Sequence, residues 1–251
     1  MNPLTISLVV FCCIFGAGYL ATLLRRGMPE HHLSADTKDT VKLSMGLVAT
    51  MTALVLGLLV ASAKGTYDTE RTNIINMAAK LVMLDRFLTH YGPEAAPVRV
   101  TLRSSVEDMM NRLWPESRME RAQLDPNSVA GDAVYYGIES LPATDDIHKG
   151  LKAQALSAAV DIGHSRWLLL AESASSISLP LCLVVVFWLA ILFFSFGLFA
   201  PPNGTAVAAL FVSAISVAGA IFLIMELDMP FDGMVRIPSK PMHMVLDHIG
   251  K

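Results

Sequence analysis

The chain has 251 residues, of which 53% are hydrophobic and only 16% are charged. Soluble domains carry about 25% charged residues, so this composition indicates an integral membrane protein. A net charge of −3 provides no basic excess, and we expect no nucleic-acid partner. The three cysteines all lie in apolar stretches, so the sequence predicts no disulfide framework.

Four apolar stretches are long enough to cross a membrane, which takes about 20 helical residues. The first two cover 4–24 and 43–63. The other two lie within 173–225, where no Asp, Glu, Lys or Arg occurs and a Pro-Pro-Asn-Gly turn at 201–204 separates them. Backbone amides in lipid must be satisfied within the segment, so we expect four transmembrane helices. The first stretch lacks a basic n-region and exceeds a signal-peptide core, which favours a retained anchor.

Residues 64–172 form the one region large enough for a folded segment outside the membrane. Its apolar residues recur at steps of three and four, which is typical of amphipathic helices. The second span is predicted to continue as one long helix that ends near Tyr91, because Gly92 and Pro93 follow.

Further helices are predicted over 97–114, in a shorter piece up to Leu141, and from an N-cap at Thr144 or Asp145 into the third span at about 178–180. We therefore predict an all-α polytopic membrane protein. Its predicted parts are 1–63 with spans one and two and a short charged loop at 25–42, a helical extramembrane segment at 64–172, a transmembrane hairpin at 173–226, and a C-terminal tail at 227–251.

Small residues follow one face of span two, at steps of three and four. They are Thr50, Ala53, Gly57 and Ala61. Such a face lets two helices approach closely, and it also lines a narrow pore when copies of the helix surround an axis. The sequence leaves both interpretations open. A similar set in span four predicts a tight helix pair and comprises Ala206, Ala209, Ser213, Ser216 and Ala220.

The predicted spans contain no ionisable residue, which argues against proton-coupled transport. Glu226 and Asp228 follow span four and are expected near the interface, where a solvated carboxylate costs little. Either a structural role or an ion-attracting role fits that position.

Sequence motifs for catalysis are weak. Asp161 and His164 are spaced to share a helix face, but no third partner accompanies them at metal-ligand spacing. Gly16 and Gly18 resemble the start of a nucleotide-binding loop only superficially, because they lie inside a span. We therefore expect no enzyme, no catalytic residue, no cofactor and no metal.

Membrane orientation can be read from the basic residues of the short loops. The loop 25–42 carries Arg25, Arg26, Lys38 and Lys42, which favours that loop on the cytoplasmic side and both termini outside. The basic residues of the tail, Arg236, Lys240 and Lys251, weigh against that orientation.

Three stretches of the sequence resemble the bacterial bestrophin-like membrane family, four-span proteins distantly related to bestrophin anion channels. These are 46–68, 196–205 and 226–241. The third is the most specific, and its residues in the family's order are Glu226, Asp228, Pro230, Phe231 and Gly233.

The resemblance implies a multi-pass, all-α protein of the cell inner (plasma) membrane and a homo-oligomer, with five copies around a pore lined by span two. It also implies a cytosolic middle segment and cytosolic termini, which is opposite to the orientation that the loop charges favour. Bestrophins narrow their pore with large apolar and aromatic side chains on span two. Here that span has no aromatic residue, and its bulkier candidates are Met51, Leu54 and Leu58.

Two functional hypotheses follow. In the first, the protein is an anion channel whose pore is lined by the small face of span two, and Lys64 and Arg71 attract anions at the pore mouth. In the second, it is a non-conducting membrane scaffold or sensor whose segment 64–172 binds an unknown soluble protein. Membrane lipid is a partner in both.

Overall fold

The computed structural model describes residues 2–27, 35–115, 122, 129–173, 179–201 and 203–250. Within these ranges the chain forms α-helices and short 3₁₀ turns, with no strand, so the all-α prediction is confirmed. The helices are α1 (Pro3–Leu24), α2 (Ala35–Tyr91), α3 (Ala96–Leu113), α4 (Val129–Glu139), α5 (Asp146–Ser173), α6 (Leu179–Phe199), α7 (Gly204–Leu227) and α8 (Lys240–His248).

In the described part of the chain, four helices are long and apolar enough to cross a membrane, namely α1, α2, α6 and α7. The prediction of four helices able to span a membrane is therefore confirmed. Asn203, in the segment predicted as a turn, is the N-cap of α7, and its side chain accepts a hydrogen bond from the backbone N–H of Ala206 at 2.8 Å. This bond satisfies one of the amide groups left unpaired at a helix start.

Internal contacts divide the chain into two units. Unit one contains Met1–Gly65 and Ser176–Asp228, and unit two contains Thr66–Ser175 and Met229–Lys251. The division reflects contacts within the protein and not a position relative to a membrane. The membrane boundaries proposed from the sequence therefore remain predictions.

Unit one is organised by α1, which packs against both α6 and α7. At the crossing of α1 and α6, a Cβ atom added to Gly197 would collide with the carbonyl oxygen of Gly18. A Cβ atom on Gly18 would lie 3.1 Å from the carbonyl oxygen of Phe193. The two glycines therefore let the helix backbones touch, which is the use of small residues in membrane helices.

Packing of α7 differs from the sequence prediction. Its buried residues include Leu210, Ala214 and Ala218, whereas Ala209 and Ser213, from the predicted small-residue face, are exposed. The predicted face thus does not pack inside the chain. The neighbouring face of α7, with Leu210, Ala214 and Ala218, packs inside the chain instead. It combines small residues with the larger apolar side chain of Leu210, which fills space against α1.

The core of unit two combines the C-terminal part of α2 with α3, α4, α5 and α8. Helix α2 ends at Tyr91, followed by Gly92 and Pro93 as predicted. Asp145 caps α5, because its Oδ1 accepts the backbone N–H of His148 at 2.8 Å. This bond, together with one from the His148 imidazole, holds the pKa of Asp145 below its usual value. The predicted junction of this helix with span three lies outside the described residues.

The C-terminal tail is part of this core. Met242, Val245 and Ile249 are buried, and Arg103 on α3 donates hydrogen bonds to the carbonyl oxygens of Leu246 (2.6 Å) and Ile249 (3.0 Å). Carbonyl groups at a helix end lack partners within the helix, so this guanidinium caps α8 and fastens it to α3.

Replacing Gly197 by Ala tests the close contact between α1 and α6. We expect Gly197→Ala to lower the free energy of unfolding by about 1–3 kcal/mol, because the added methyl group forces the backbones apart. Gly219→Ala is the matched control, since a Cβ there has no atom within 4 Å. Thermal unfolding in detergent measures both variants. Equal melting temperatures would contradict the assigned contact.

Candidate functional site

The membrane-spanning part of α2 has two different sides. Thr52, Leu59 and Ala63 are buried within the chain. With 3.6 residues per turn, the predicted pore-lining residues lie on roughly the opposite side. These are Thr50, Ala53, Gly57 and Ala61, and all four are exposed.

The small-residue face is also open at the atomic level. A Cβ atom added to Gly57 would have no atom within 4 Å, and the Thr50 hydroxyl donates to the carbonyl oxygen of Gly46 on its own helix at 2.9 Å. The bulkier Leu54 and Leu58 are exposed and each directly follows a residue of this face. The structure thus brings the four residues together on one free side of α2, and their pore-lining role stays a prediction.

Span two is the least enclosed of the four. Only 11% of the residues in its most apolar stretch are buried, against 22–28% in the other three spans. Helices α6 and α7 both pack against α1, whereas α2 buries only a narrow stripe of its surface. Much of its apolar surface therefore remains available for lipid or for another copy of the chain.

The predicted pore-mouth residues Lys64 and Arg71 are both exposed. They are seven residues apart on α2, which is about two turns, so they share a helix face. Asp68 lies between them on that face and is exposed as well. The three side chains together carry one net positive charge.

Glu226 corrects an expectation from the sequence. Helix α7 extends to Leu227, so Glu226 lies in its last turn and inside the span, where its exposed fraction is only 2%. The carboxyl group is therefore not solvated as expected, and Ile224 and Leu227 in the same last turn are buried as well. Asp228 is partly exposed and its backbone N–H closes the helix end on Ile224 at 3.1 Å.

The remaining motif residues form a closed loop after α7. The backbone N–H of Ile237 donates to the carbonyl oxygen of Pro230 at 2.8 Å, which joins the two ends of the loop. Gly233 has a φ angle of +89°, in the left-handed region that favours glycine. Arg236 donates through Nε to the Gly233 carbonyl oxygen at 3.1 Å. The loop is therefore closed by a backbone hydrogen bond and by the Arg236 side chain.

This loop is anchored to unit two by aromatic side chains. Phe231 is buried and meets the ring of Trp114 edge to face, with centroids 6.0 Å apart. Trp114 Nε1 donates to the carbonyl oxygen of Ile237 at 2.8 Å, and the Tyr67 hydroxyl donates to that of Arg236 at 3.4 Å. The sequence did not predict these roles of Trp114 and Tyr67, because both partners are backbone atoms distant in the chain.

Asp161 and His164 show no arrangement suited to catalysis. Both side chains are exposed, and the backbone carbonyl of Asp161 accepts hydrogen bonds from Ser165 Oγ (2.9 Å) and Lys80 Nζ (3.4 Å). Among the described residues, no three His, Cys, Asp or Glu side chains could hold a metal ion together.

The family model for the Bestrophin-like domain matches residues 12–242, nearly the whole chain. The chain belongs to the Bestrophin-like family. The match begins within the first span and contains the other three spans and the loop after α7. With four apolar helices, this Bestrophin-like chain is a membrane protein. No curated protein matches its sequence.

Crystal structures with the same fold cover nearly the full length of this Bestrophin-like chain. One variant of a bacterial bestrophin homolog from Klebsiella pneumoniae gives a TM-score of 0.69 at 13% identity, covering 99% of this chain and 97% of that one. A second variant gives 0.67 at 14% identity, covering 96% of both chains. A structure described as a membrane protein gives 0.65 at 13% identity, also covering 96% of both. These similarities establish the fold.

Replacing Trp114 by Phe tests how the family-motif loop is held. Trp114→Phe keeps an aromatic ring against Phe231 but removes the donor to the Ile237 carbonyl, and we expect a loss of about 1–3 kcal/mol in unfolding free energy. Trp167→Phe on the exposed side of α5 serves as the control and should change little. Denaturant unfolding measures both. Equal effects of the two substitutions would argue against the anchoring role.

Proposed function

We propose that this Bestrophin-like protein is a homo-oligomeric anion channel of the cell inner membrane, with α2 of each copy lining a central pore. The observation that carries the proposal is that span two is buried on one side only. The chain buries Thr52, Leu59 and Ala63 on one side and leaves the small face with Gly57 exposed on the other. Small side chains around an axis leave room for a hydrated path, and neighbouring copies can cover the flanks.

The family supports the same reading. Bestrophin-like proteins are related to bestrophin anion channels, and span two lines the pore in that resemblance. We therefore propose five copies around the axis, with unit two and both termini in the cytosol. Closed cyclic symmetry places the same helix of every copy at equal distance from the axis.

Charge at the pore mouth supports anion preference. Lys64, Asp68 and Arg71 leave one net positive charge per copy on the exposed face of α2, and an oligomer multiplies that charge around the axis. A ring of positive charge raises the local concentration of anions. The small face itself carries no ionised side chain, so in this proposal selectivity depends on the mouth, and Leu54 and Leu58 are the candidates for an apolar constriction.

The direct test is conduction by the purified protein in planar bilayers under a chloride gradient. We expect chloride current whose reversal potential lies near that of chloride. Lys64→Glu should move the reversal potential toward that of the cation, because the mouth becomes net negative. Lys149→Glu makes the same charge change on α5 and should leave the reversal potential unchanged.

Oligomeric state is measured on the same preparation by light scattering in nanodiscs. A protein that is monomeric and electrically silent would overturn the proposal. An oligomer that stays silent would refute conduction and favour the scaffold or sensor hypothesis.

A further inference from the structure

The end of α1 carries a buried positive charge. Arg25 follows α1 directly and belongs to unit one. Its Nη1 atom is buried, and no residue in the described part of the chain accepts a hydrogen bond from it. Buried charges in proteins are normally paired and hydrogen-bonded, because leaving water costs them much free energy. The guanidinium of Arg25 is therefore suited to receive a negative group from outside the chain.

The helices of unit one contain no carboxylate for this guanidinium. Residues 1–27 include no Asp or Glu, and neither do residues 173–225, which contain α6 and nearly all of α7. At the start of α2, Asp36 and Asp39 are both exposed, and Asp39 Oδ1 lies 3.3 Å from Lys42 Nζ. The negative group that would compensate Arg25 is thus not supplied by these helices.

Contacts within unit one show that α1 and α7 run in opposite directions. A Cβ atom on Gly18 would lie 3.7 Å from Leu210 Cδ1, so these two positions are neighbours. Phe15, which precedes Gly18 on α1, packs edge to face on Phe211, with ring centroids 5.5 Å apart. Because Phe211 follows Leu210 on α7, the end of α1 points toward the start of α7.

Arg25 and the start of α7 therefore lie at the same end of these helices. Arg25 is seven residues beyond Gly18, and Gly204 is six residues before Leu210. Each is about two turns, or roughly 10 Å along its helix, from the shared contact and in the same direction.

The start of α7 offers backbone donors at this end. The first amide groups of a helix have no partner within the helix, and together they attract anions. The Asn203 side chain accepts the amide of Ala206, so the cap does not use the amides of Gly204 and Thr205. A Cβ atom on Gly204 would have no atom within 4 Å, which leaves space beside these donors.

We propose that this end of unit one binds a phosphate group, held by Arg25 and by the first amides of α7. A guanidinium offers two parallel N–H donors that match phosphate oxygens, and helix starts bind phosphate through their free amides. Arg25 directly follows the apolar stretch predicted as span one, so the expected source is the headgroup of an anionic membrane lipid. The site lies wholly in unit one and does not depend on ion conduction.

The test is native mass spectrometry of the full chain in detergent with added dioleoyl phosphatidic acid. Dioleoylglycerol is the comparison, since it has the same acyl chains without the phosphate. We expect the phosphate lipid to bind about tenfold or more tighter, from charge-assisted hydrogen bonds. Arg25→Gln should abolish this preference, and Arg25→Lys, which keeps the charge, should retain part of it. Arg86→Gln, at an exposed position of α2 in unit two, should leave it unchanged.

Thermal unfolding separates phosphate binding from a structural role of Arg25. Phosphatidic acid should raise the melting temperature of the wild type and of Arg86→Gln but not that of Arg25→Gln, because a ligand stabilises only the protein that binds it. Without added lipid, Arg25→Gln should melt at or above the wild-type temperature, since it removes an unpaired buried charge.

Inorganic phosphate at millimolar concentration distinguishes the two sources of the group. It should leave the bound phosphatidic acid in place, and displacement of the lipid would refute the headgroup assignment. Three further results would overturn the site itself. They are equal binding of the two lipids, equal effects of Arg25→Gln and Arg86→Gln, and a lower melting temperature of lipid-free Arg25→Gln. Each leaves the channel proposal standing.

Discussion

Burial of only one side of α2 is the constraint on which the rest of the structure depends. This 57-residue helix provides a candidate membrane span in unit one and part of the apolar core of unit two. Its buried positions recur at helical spacing from Thr52 and Leu59 to Ile74 and Leu81. A helix that buries one stripe must present its other side to lipid, to water or to another protein. The proposed pore assigns that other side to a shared axis.

A different kind of contact is prominent within each unit. In unit one, α1 packs against both α6 and α7, and Gly18 and Gly197 bring the backbones of α1 and α6 into direct contact. In unit two, side-chain donors satisfy backbone carbonyls that no helix pairs, as Arg103 does for the tail and Trp114 for the loop after α7. In lipid, apolar side chains gain little free energy by associating, so close packing of helix backbones is the expected contact there. Hydrogen bonds from polar side chains are the expected contact in a segment outside the membrane.

Patterns that depend on neighbouring residues were predictable from the sequence. The four spans, the end of α2 at Tyr91 and the cap at Asp145 all follow from local composition and stop signals. Contacts between distant residues were not predictable. Nothing near Gly197 indicates that it meets Gly18, and Glu226 looked interfacial because the sequence does not show where α7 ends. The small-residue face of span two was predictable from helical spacing alone, and the chain leaves it exposed.

The most direct test of the central claim is cysteine cross-linking of α2 in intact membranes. In a background with Cys12, Cys13 and Cys182 replaced by Ala, Gly57→Cys places one thiol on the exposed face, and Leu59→Cys places one on the buried stripe. If copies of α2 surround a common axis, oxidation should give a covalent dimer with Gly57→Cys and monomer with Leu59→Cys. A Gly57→Cys protein that stays monomeric would contradict the account, whether or not Leu59→Cys forms a dimer.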